Sequence, residues 1–171
     1  VFLGFRLKNL LGDKSGYEDN TKIENEKINT VENKVIPINN NIYDGKGIEI
    51  IKKADSTFSE KQFINGAESA FKIIVKAFSE SDLDTLKKLL GYDLLKNFTK
   101  EITERTARNE TIETDIASID KIEIIDANVS SNIANITVIF ISQQSKQTKN
   151  VDGKVIEGDI GFHETIKDKW T

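Results

Sequence analysis

The residue types that most often carry acid-base chemistry are sparse and scattered in this sequence. Its single histidine, His163, is a candidate general base, but no nucleophile or paired carboxylate stands at a recognisable spacing from it. The acidic stretch from Ser81 to Asp84 lacks the order of a calcium-binding loop, and there is no glycine-rich phosphate loop. A structural histidine in a strand is the favoured interpretation of His163. We expect no catalytic residue, no metal site and no cofactor.

One carboxylate stands out because of its neighbour. Asp168 lies two residues before Trp170, the only tryptophan of the chain. A carboxylate in this position could bind an amine of a partner, cap a neighbouring strand, or pair with an arginine or lysine. The sequence leaves these three roles open.

Composition limits the class of protein. Apolar residues make up 37% of the 171 residues and charged residues 30%, and no apolar run reaches the roughly 18 residues of a membrane span. The formal net charge of -4 gives no reason to expect nucleic acid as a partner. The absence of cysteine excludes a disulfide framework and a thiol nucleophile, but it does not fix the compartment. We therefore expect a globular domain with one core.

The first 12 residues, VFLGFRLKNLLG, combine an apolar lead with adjacent positive charge. This is typical of the end of a membrane segment whose earlier part is missing, or of a short amphipathic surface segment. Packing on the domain is the third alternative. Because the chain starts at Val1 and stops just after Trp170, we expect both ends to be trimmed. The candidate membrane contacts are Phe2, Phe5, Arg6, Leu7, Lys8 and Leu10.

Residues 13–47 have the composition of a linker. They are rich in asparagine, glutamate and lysine, contain the only proline, Pro37, and show no sustained helical or strand periodicity. Such a segment buries too little apolar surface to offset its ordering entropy, so we predict a flexible tether. The folded domain is expected at 48–171, beginning with a short helix or strand at 48–54.

The first firm element is a helix that begins after Ser59. Ser59 as N-cap and Gln62 three residues later form a capping box, while Phe58 and Phe63 form a hydrophobic staple. Apolar residues at spacings of three and four then give one stripe, which consists of Phe63, Ala67, Ala70, Phe71, Ile74, Ala77 and Phe78.

Two shorter helices are predicted next. One begins at Ser81 with Asp84 three residues later, and Gly91 is expected to end it in the left-handed conformation. The other fits residues 93–108. Its inward side chains are Leu94, Leu95, Phe98 and Ile102, and its solvent-facing side chains are Lys100, Glu101, Glu104 and Arg105.

From residue 111 onward the period changes to that of strands. A turn at Asn132 separates an acidic, isoleucine-rich run from a second run, and Asp152-Gly153 predicts a hairpin. Residues 162–171 indicate one more strand. Helices first and antiparallel strands second predict an α+β fold with helices on one face of a bent sheet. Two sets are expected to share faces: Ala134, Ile136, Val138 and Phe140, and Glu164, Ile166, Asp168 and Trp170.

The ordered set of motifs over roughly residues 55–171 resembles the Tim44-like domain. This is the C-terminal domain of the 44-kilodalton subunit of the mitochondrial inner-membrane translocase and of its bacterial relatives. The matching positions are Phe63, Gly66, Ala67, Ala70, Phe71, Ile74, Val75, Ala77, Phe78, Asp82, Ile125, Asp126, Ala127, Asp152, Gly153, Gly158, Asp159, Asp168, Trp170 and Thr171.

The resemblance implies a nuclear-transport-factor-2-like cone with an apolar cavity. It also implies an inner-membrane protein, peripheral or anchored at its N-terminus, with the domain on the cytoplasmic or matrix side. The implied partners are anionic lipid and a membrane protein or translocase. The mitochondrial member tethers a chaperone through a long N-terminal region, whereas the short linker here is similar to the bacterial relatives.

Two functions follow as hypotheses. The first is a non-enzymatic membrane-associated module that binds lipid, a membrane protein or a translocating chain. The second is a small-molecule carrier or an isomerase- or dehydratase-like enzyme that uses the cavity. The apolar stripe is either plain core or the wall of that pocket. The candidate pocket residues are Gly66, Ala67, Ala70, Phe71, Ile74, Phe78, Leu94, Phe98, Ile136, Val138 and Phe140.

Overall fold

The computed structural model describes residues 45–171. The predicted membrane contacts and the predicted linker up to residue 44 lie outside the described residues. The described part consists of helices α1 (Lys46–Ala54), α2 (Glu60–Ser79), α3 (Leu83–Leu89) and α4 (Tyr92–Ala107), followed by strands β1 (Thr111–Ser130), β2 (Ile133–Lys149) and β3 (Val155–Trp170).

The segment that could be helix or strand is the helix α1. It begins at Lys46, so the last two residues of the predicted linker belong to this helix. Ile48 and Ile51 bury their side chains, and Gly47 lies directly against β1. A Cβ atom on Gly47 would lie 1.7 Å from the carbonyl oxygen of Ala127, so only glycine permits this close approach.

The start of α2 agrees with the sequence pattern. The hydroxyl of Ser59 accepts a hydrogen bond from the backbone N–H of Gln62 at 3.4 Å, and the rings of Phe58 and Phe63 lie 6.1 Å apart. The N-cap and the staple are therefore confirmed. The buried face of the helix consists of Ala67, Phe71, Ile74 and Ala77.

Two predicted helix boundaries are wrong. The N-cap of α3 is Asp82, whose carboxylate accepts hydrogen bonds from both the backbone N–H and the hydroxyl of Thr85. Ser81 instead adopts a left-handed conformation with φ 62°. Gly91 does not end a helix in that conformation, since its φ is -65° and it precedes α4. The aspartate prevails over the serine because its two oxygens can accept two bonds at once.

The strand pattern gives three long strands. They pair antiparallel in the order β1-β2-β3. The predicted strand at 162–171 is the second half of β3, which begins at Val155. Ser131 and Asn132 form the first turn, both with positive φ, and Gly153 has φ 74° in the second. Three register shifts interrupt the pairing of β1 with β2. Such bulges bend a sheet.

The helices cover one face of this sheet, which confirms the predicted α+β arrangement of a nuclear-transport-factor-2-like fold. The C-terminal end of α2 is fixed to the first residues of β1, because the Ser79 hydroxyl donates to the carbonyl of Ile112 at 3.0 Å. The strand residues of the core are Ile124, Ala127, Ile136, Val138, Phe140 and Trp170.

Large apolar side chains are exposed where β2 turns into β3. Val151, Val155 and Ile156 are exposed there, at 74%, 42% and 51%. Gly158 has φ 76°, and an added Cβ would lie 2.0 Å from the carbonyl oxygen of Lys146. A wide bulge follows in β3, where the pairing jumps from Asp159 to Glu164. We call the end of the sheet with Phe140 and Trp170 the covered end, and the end with Val151, Val155 and Ile156 the hairpin end.

Candidate functional site

Three aromatic rings form the centre of the core. The rings of Phe71 and Phe140 stack with centroids 4.6 Å apart, and that of Trp170 lies 4.9 Å from Phe71 and 5.3 Å from Phe140. α2, β2 and β3 each contribute one ring. Aromatic pairs at these distances add about 0.5–1.5 kcal/mol beyond the burial of their surface. The cluster therefore joins the helix layer to the last strand.

Ten of the eleven candidate pocket residues lie in or against this core. Eight are buried, and Ala70 and Phe78 pack against them half-buried. Gly66 is different, since it is exposed on α2 and a Cβ placed there would meet nothing within 4 Å. The ring contacts of Phe71 favour the interpretation as packed core. Use of these residues as a binding pocket stays a prediction.

The motif residue Asp168 lies beside the aromatic cluster on the helix side of the sheet. It pairs in register with Phe140, two positions from Trp170 on the same face. The side-chain nitrogen of Gln144 donates to the Asp168 carboxylate at 3.2 Å and to the hydroxyl of Ser142 at 2.8 Å. Burial raises the pKa of the Asp168 carboxyl, and the bond from Gln144 partly opposes this rise.

The last two motif residues are held by β2. Trp170 pairs with Val138 and is 5% exposed, and its indole nitrogen has no hydrogen-bond partner among the described residues. The hydroxyl of Thr171 lies 2.9 Å from that of Thr137 on the adjacent strand. Of the roles left open for Asp168, the structure contains neither a cation pair nor a strand cap within residues 45–171, only the Gln144 bond.

A groove of about 340 Å³ runs between the C-terminal half of α2 and the first residues of β1. Val75, Ile112 and Ile116 supply its apolar lining, and Lys72 and Lys76 stand on the helix side. Both lysines form exposed ion pairs along the helix, Lys72 with Glu68 at 2.6 Å and Lys76 with Glu80 at 3.8 Å. None of the eleven predicted pocket residues lines this groove, and sequence reasoning did not find it.

His163 lies in the wide bulge of β3, away from the core. Its Nε2 atom is 2.8 Å from a carboxylate oxygen of Asp115 on β1, so the contact crosses over the central strand. Ser145 of β2 fixes the same bulge by donating to the carbonyl of Ile160 at 2.7 Å. These contacts agree with a structural role for the histidine. The carboxylate partner was not apparent from the sequence because it is 48 residues away.

Arg105 was predicted to face solvent, and this is wrong. It is only 4% exposed, and its guanidinium donates to the carbonyls of Phe78 and Ser79 and to the hydroxyl of Ser81. The guanidinium also lies 4.8 Å above the ring of Phe78, and burial lowers its pKa. Arg105 stands three residues after Ile102 on the apolar stripe, which is the sequence signal that could have revealed it. It stabilises the C-terminal end of α2.

Residues 45–171 contain neither a metal-binding cluster nor a membrane-spanning helix. No group of three or more histidines or acidic residues is arranged to hold a metal ion there. No helix in this part of the chain is long and apolar enough to cross a membrane.

The sequence of the described domain matches the model of one protein family. The model of the Tim44-like domain matches residues 45–171, which is most of the chain. The chain belongs to the Tim44-like domain family. This agrees with the resemblance carried by the α2 stripe and by the terminal Asp168, Trp170 and Thr171.

A curated relative gives the family a context. The mitochondrial import inner membrane translocase subunit TIM44-1 of Arabidopsis thaliana is 22% identical to this chain over 120 residues. The match covers 70% of this chain and 25% of the relative. The chain thus spans about a quarter of the length of that protein, and the similarity concerns the domain alone.

Proposed function

We propose that this chain is a non-enzymatic, membrane-associated binding module of a protein translocase. Its membership of the Tim44-like domain family carries the proposal. The relative described above is named as an inner-membrane translocase subunit, which supports a location at an inner membrane and a membrane-protein or translocating-chain partner. In this proposal residues 1–12 bring the chain to the membrane, either peripherally or as the end of an anchor. The domain then lies on the cytoplasmic or matrix side.

The α2–β1 groove supports binding of anionic lipid. Lys72 and Lys76 stand beside apolar residues of the lining, a combination that suits a lipid headgroup and the start of an acyl chain. The lining also includes Glu80 and Glu113, each of which is paired with a lysine. The present partners of Lys72 and Lys76, Glu68 and Glu80, are exposed, and exposed ion pairs are worth only about 0–1 kcal/mol. The lysines can therefore exchange these partners for lipid phosphates at low cost.

Flotation of the full chain with liposomes tests the proposal. Vesicles of phosphatidylcholine alone are compared with vesicles that also contain phosphatidylglycerol. We expect flotation with the anionic vesicles, a large loss for the Phe2→Ser/Phe5→Ser variant, and a smaller loss for Lys72→Gln/Lys76→Gln. The matched control is Lys167→Gln/Lys169→Gln, which removes the same charge from the opposite face of the sheet and should float like the wild type.

The result separates the two contacts from general electrostatics. If all four proteins float equally, neither residues 1–12 nor the groove directs binding. If the control loses as much as the groove variant, net charge alone explains the attraction. A chain that floats with neither vesicle contradicts the membrane proposal itself.

One observation favours the second function, a small-molecule carrier or an isomerase- or dehydratase-like enzyme. Asp168 is an inward-facing carboxyl with two polar neighbours, Gln144 and Ser142, at the edge of an apolar core. Sites of acid-base chemistry have this composition. Native mass spectrometry of the purified chain tests it. A small molecule retained by the wild type and lost from Asp168→Asn supports this function, and identical masses of unliganded protein contradict it.

A further inference from the structure

The polar cluster beside the aromatic core keeps two hydrogen-bond acceptors free. The side-chain nitrogen of Gln144 has two hydrogens, and they serve Ser142 at 2.8 Å and Asp168 at 3.2 Å. Within residues 45–171, the carbonyl oxygen of Gln144 and the other carboxylate oxygen of Asp168 make no hydrogen bond. These two oxygens lie on the same face of the sheet, at the edge of the buried core, and each can accept a hydrogen bond from a ligand.

The carboxylate also lacks a counter-ion. No lysine, arginine or histidine nitrogen of the described residues lies within 4.0 Å of Asp168, although Lys167 and Lys169 flank it in sequence. Those two lysines pair in register with Ile141 and Ile139 and therefore point to the opposite face of the sheet. A half-buried carboxylate without a partner is costly, because burial removes water without supplying a compensating charge. A cation would remove that cost.

The surroundings define what kind of cation fits. Ile122 and Phe140 share a row of the sheet with Asp168, and Ile166 is the next residue on the same face. The half-buried Ile122 and Ile166 would contact a hydrocarbon stem, whereas Phe140 is buried in the core. A calcium ion needs six to eight oxygen ligands, whereas this cluster offers one carboxylate and one amide. An organic monocation with several N–H donors matches the free acceptors better.

We propose that Asp168 and Gln144 form a binding site for an ammonium or guanidinium group on an apolar stem. The group donates to the free oxygens of Asp168 and Gln144, and its stem lies along Ile122 and Ile166. A lysine or arginine side chain of a polypeptide and a free small amine share this chemistry. The site shares no residue with the α2–β1 groove or with residues 1–12, so it can be tested separately from the membrane role.

Titration of the full chain with n-butylammonium and n-butylguanidinium tests the site. Backbone amide chemical shifts of β2 and β3 provide the readout, and n-butanol is the uncharged probe. We expect saturable shifts near Gln144 and Asp168 with both cations. Asp168→Asn should weaken binding about tenfold or more, because an amide keeps the shape and the Gln144 bond but removes the charge. Glu157→Gln, an exposed acid of the same strand, should bind like the wild type.

A second variant tests the other acceptor of the site independently. Gln144→Met retains the carboxylate but removes one acceptor, and it should weaken binding of the cation by a few fold.

Two peptides, acetyl-Leu-Lys-Leu-amide and acetyl-Leu-Gln-Leu-amide, distinguish the two sources of the cation. Tighter binding of the lysine peptide than of n-butylammonium indicates a polypeptide, and the reverse indicates a small amine. Equal response to n-butanol, equal affinity in Asp168→Asn, or no saturable shift would overturn the site. Liposome flotation should be unchanged in Asp168→Asn.

Discussion

The central strand β2 is buried by apolar side chains at the covered end of the sheet and by polar side chains at the hairpin end. At the covered end β2 turns Ile136, Val138 and Phe140 toward the helices. At the hairpin end the buried residues of the same strand are polar, namely Ser145, Gln147 and Thr148. One strand therefore passes from an apolar core into a zone held by hydrogen bonds.

The two zones differ in how much stability a residue can provide. Full burial of a large apolar side chain contributes about 1.5–3 kcal/mol, whereas a hydrogen bond that replaces one to water contributes about 0.5–1.5 kcal/mol. Ser145 donates to the Ile160 carbonyl, and Gln147 donates to Glu113 at 2.7 Å. The hairpin end is thus ordered without being a main source of stability. β2 is therefore longer than the apolar core that it crosses, and its second half is ordered by hydrogen bonds.

The largest effect is expected at the covered end. Phe71→Ala should lower the free energy of unfolding by about 3–5 kcal/mol, since the side chain is fully buried between two other rings. Ile156→Ala at the hairpin end should cost about 0.5 kcal/mol or less, because that side chain is 51% exposed. Urea unfolding measures both. A much smaller loss for Phe71→Ala, together with weakened binding of an acyl chain, would revive the pocket interpretation.

A pair of glycines gives the next effect, with opposite signs. Gly47→Ala should destabilise the fold by about 1–3 kcal/mol, because the new methyl group collides with the backbone of Ala127. Gly66→Ala should stabilise it by about 0.5–1 kcal/mol, because this position is helical and has open space around it. Thermal unfolding of the two variants provides the comparison. Equal and small effects would mean that α1 is not held against β1 as described.

The N-cap of α2 should contribute less. Ser59→Ala removes the acceptor for the Gln62 N–H and should cost about 0.5–1 kcal/mol, toward the lower limit because the bond is 3.4 Å long. Ser59→Asp, which keeps an acceptor and adds a favourable charge near the helix start, should recover this loss. Unfolding in urea again reports the difference. Failure of Ser59→Asp to recover stability would point to loss of packing around Phe58 instead.

The smallest effect is a pH dependence at the boundary between the two zones. Burial raises the pKa of Asp168 in the folded chain, so ionisation of this group opposes folding. The stability that the neutral carboxyl contributes is fully present below the unfolded pKa of about 3.9 and is lost as the pH rises through the folded pKa. Asp168→Asn should therefore be more stable than the wild type at neutral pH, and the difference should vanish near pH 3. If the difference in stability between Asp168→Asn and the wild type is the same at neutral pH and near pH 3, packing and not ionisation is its cause.

Local patterns were predictable from the sequence, and contacts across the fold were not. The cap at Ser59 and the turn at Asp152-Gly153 depend on residues within four positions of each other. Arg105 was misassigned because its partners Phe78, on α2, and Ser81, in the turn after α2, lie 27 and 24 residues away. The partners of the polar second half of β2, Glu113 and Ile160, were not apparent, because they lie on the two neighbouring strands. The Asp168 cluster needed the register of β3 on β2.

The contact between Gly47 and Ala127 also bears on how the domain responds to mechanical load. α1 is the first described element, and it is attached to β1 by one close backbone approach and two buried isoleucines. Tension applied at residue 45 acts on this attachment before it reaches any strand. Release of α1 would withdraw Ile48 and Ile51 from the core. Tension at this end would therefore open the core beside β1 before it separates paired strands.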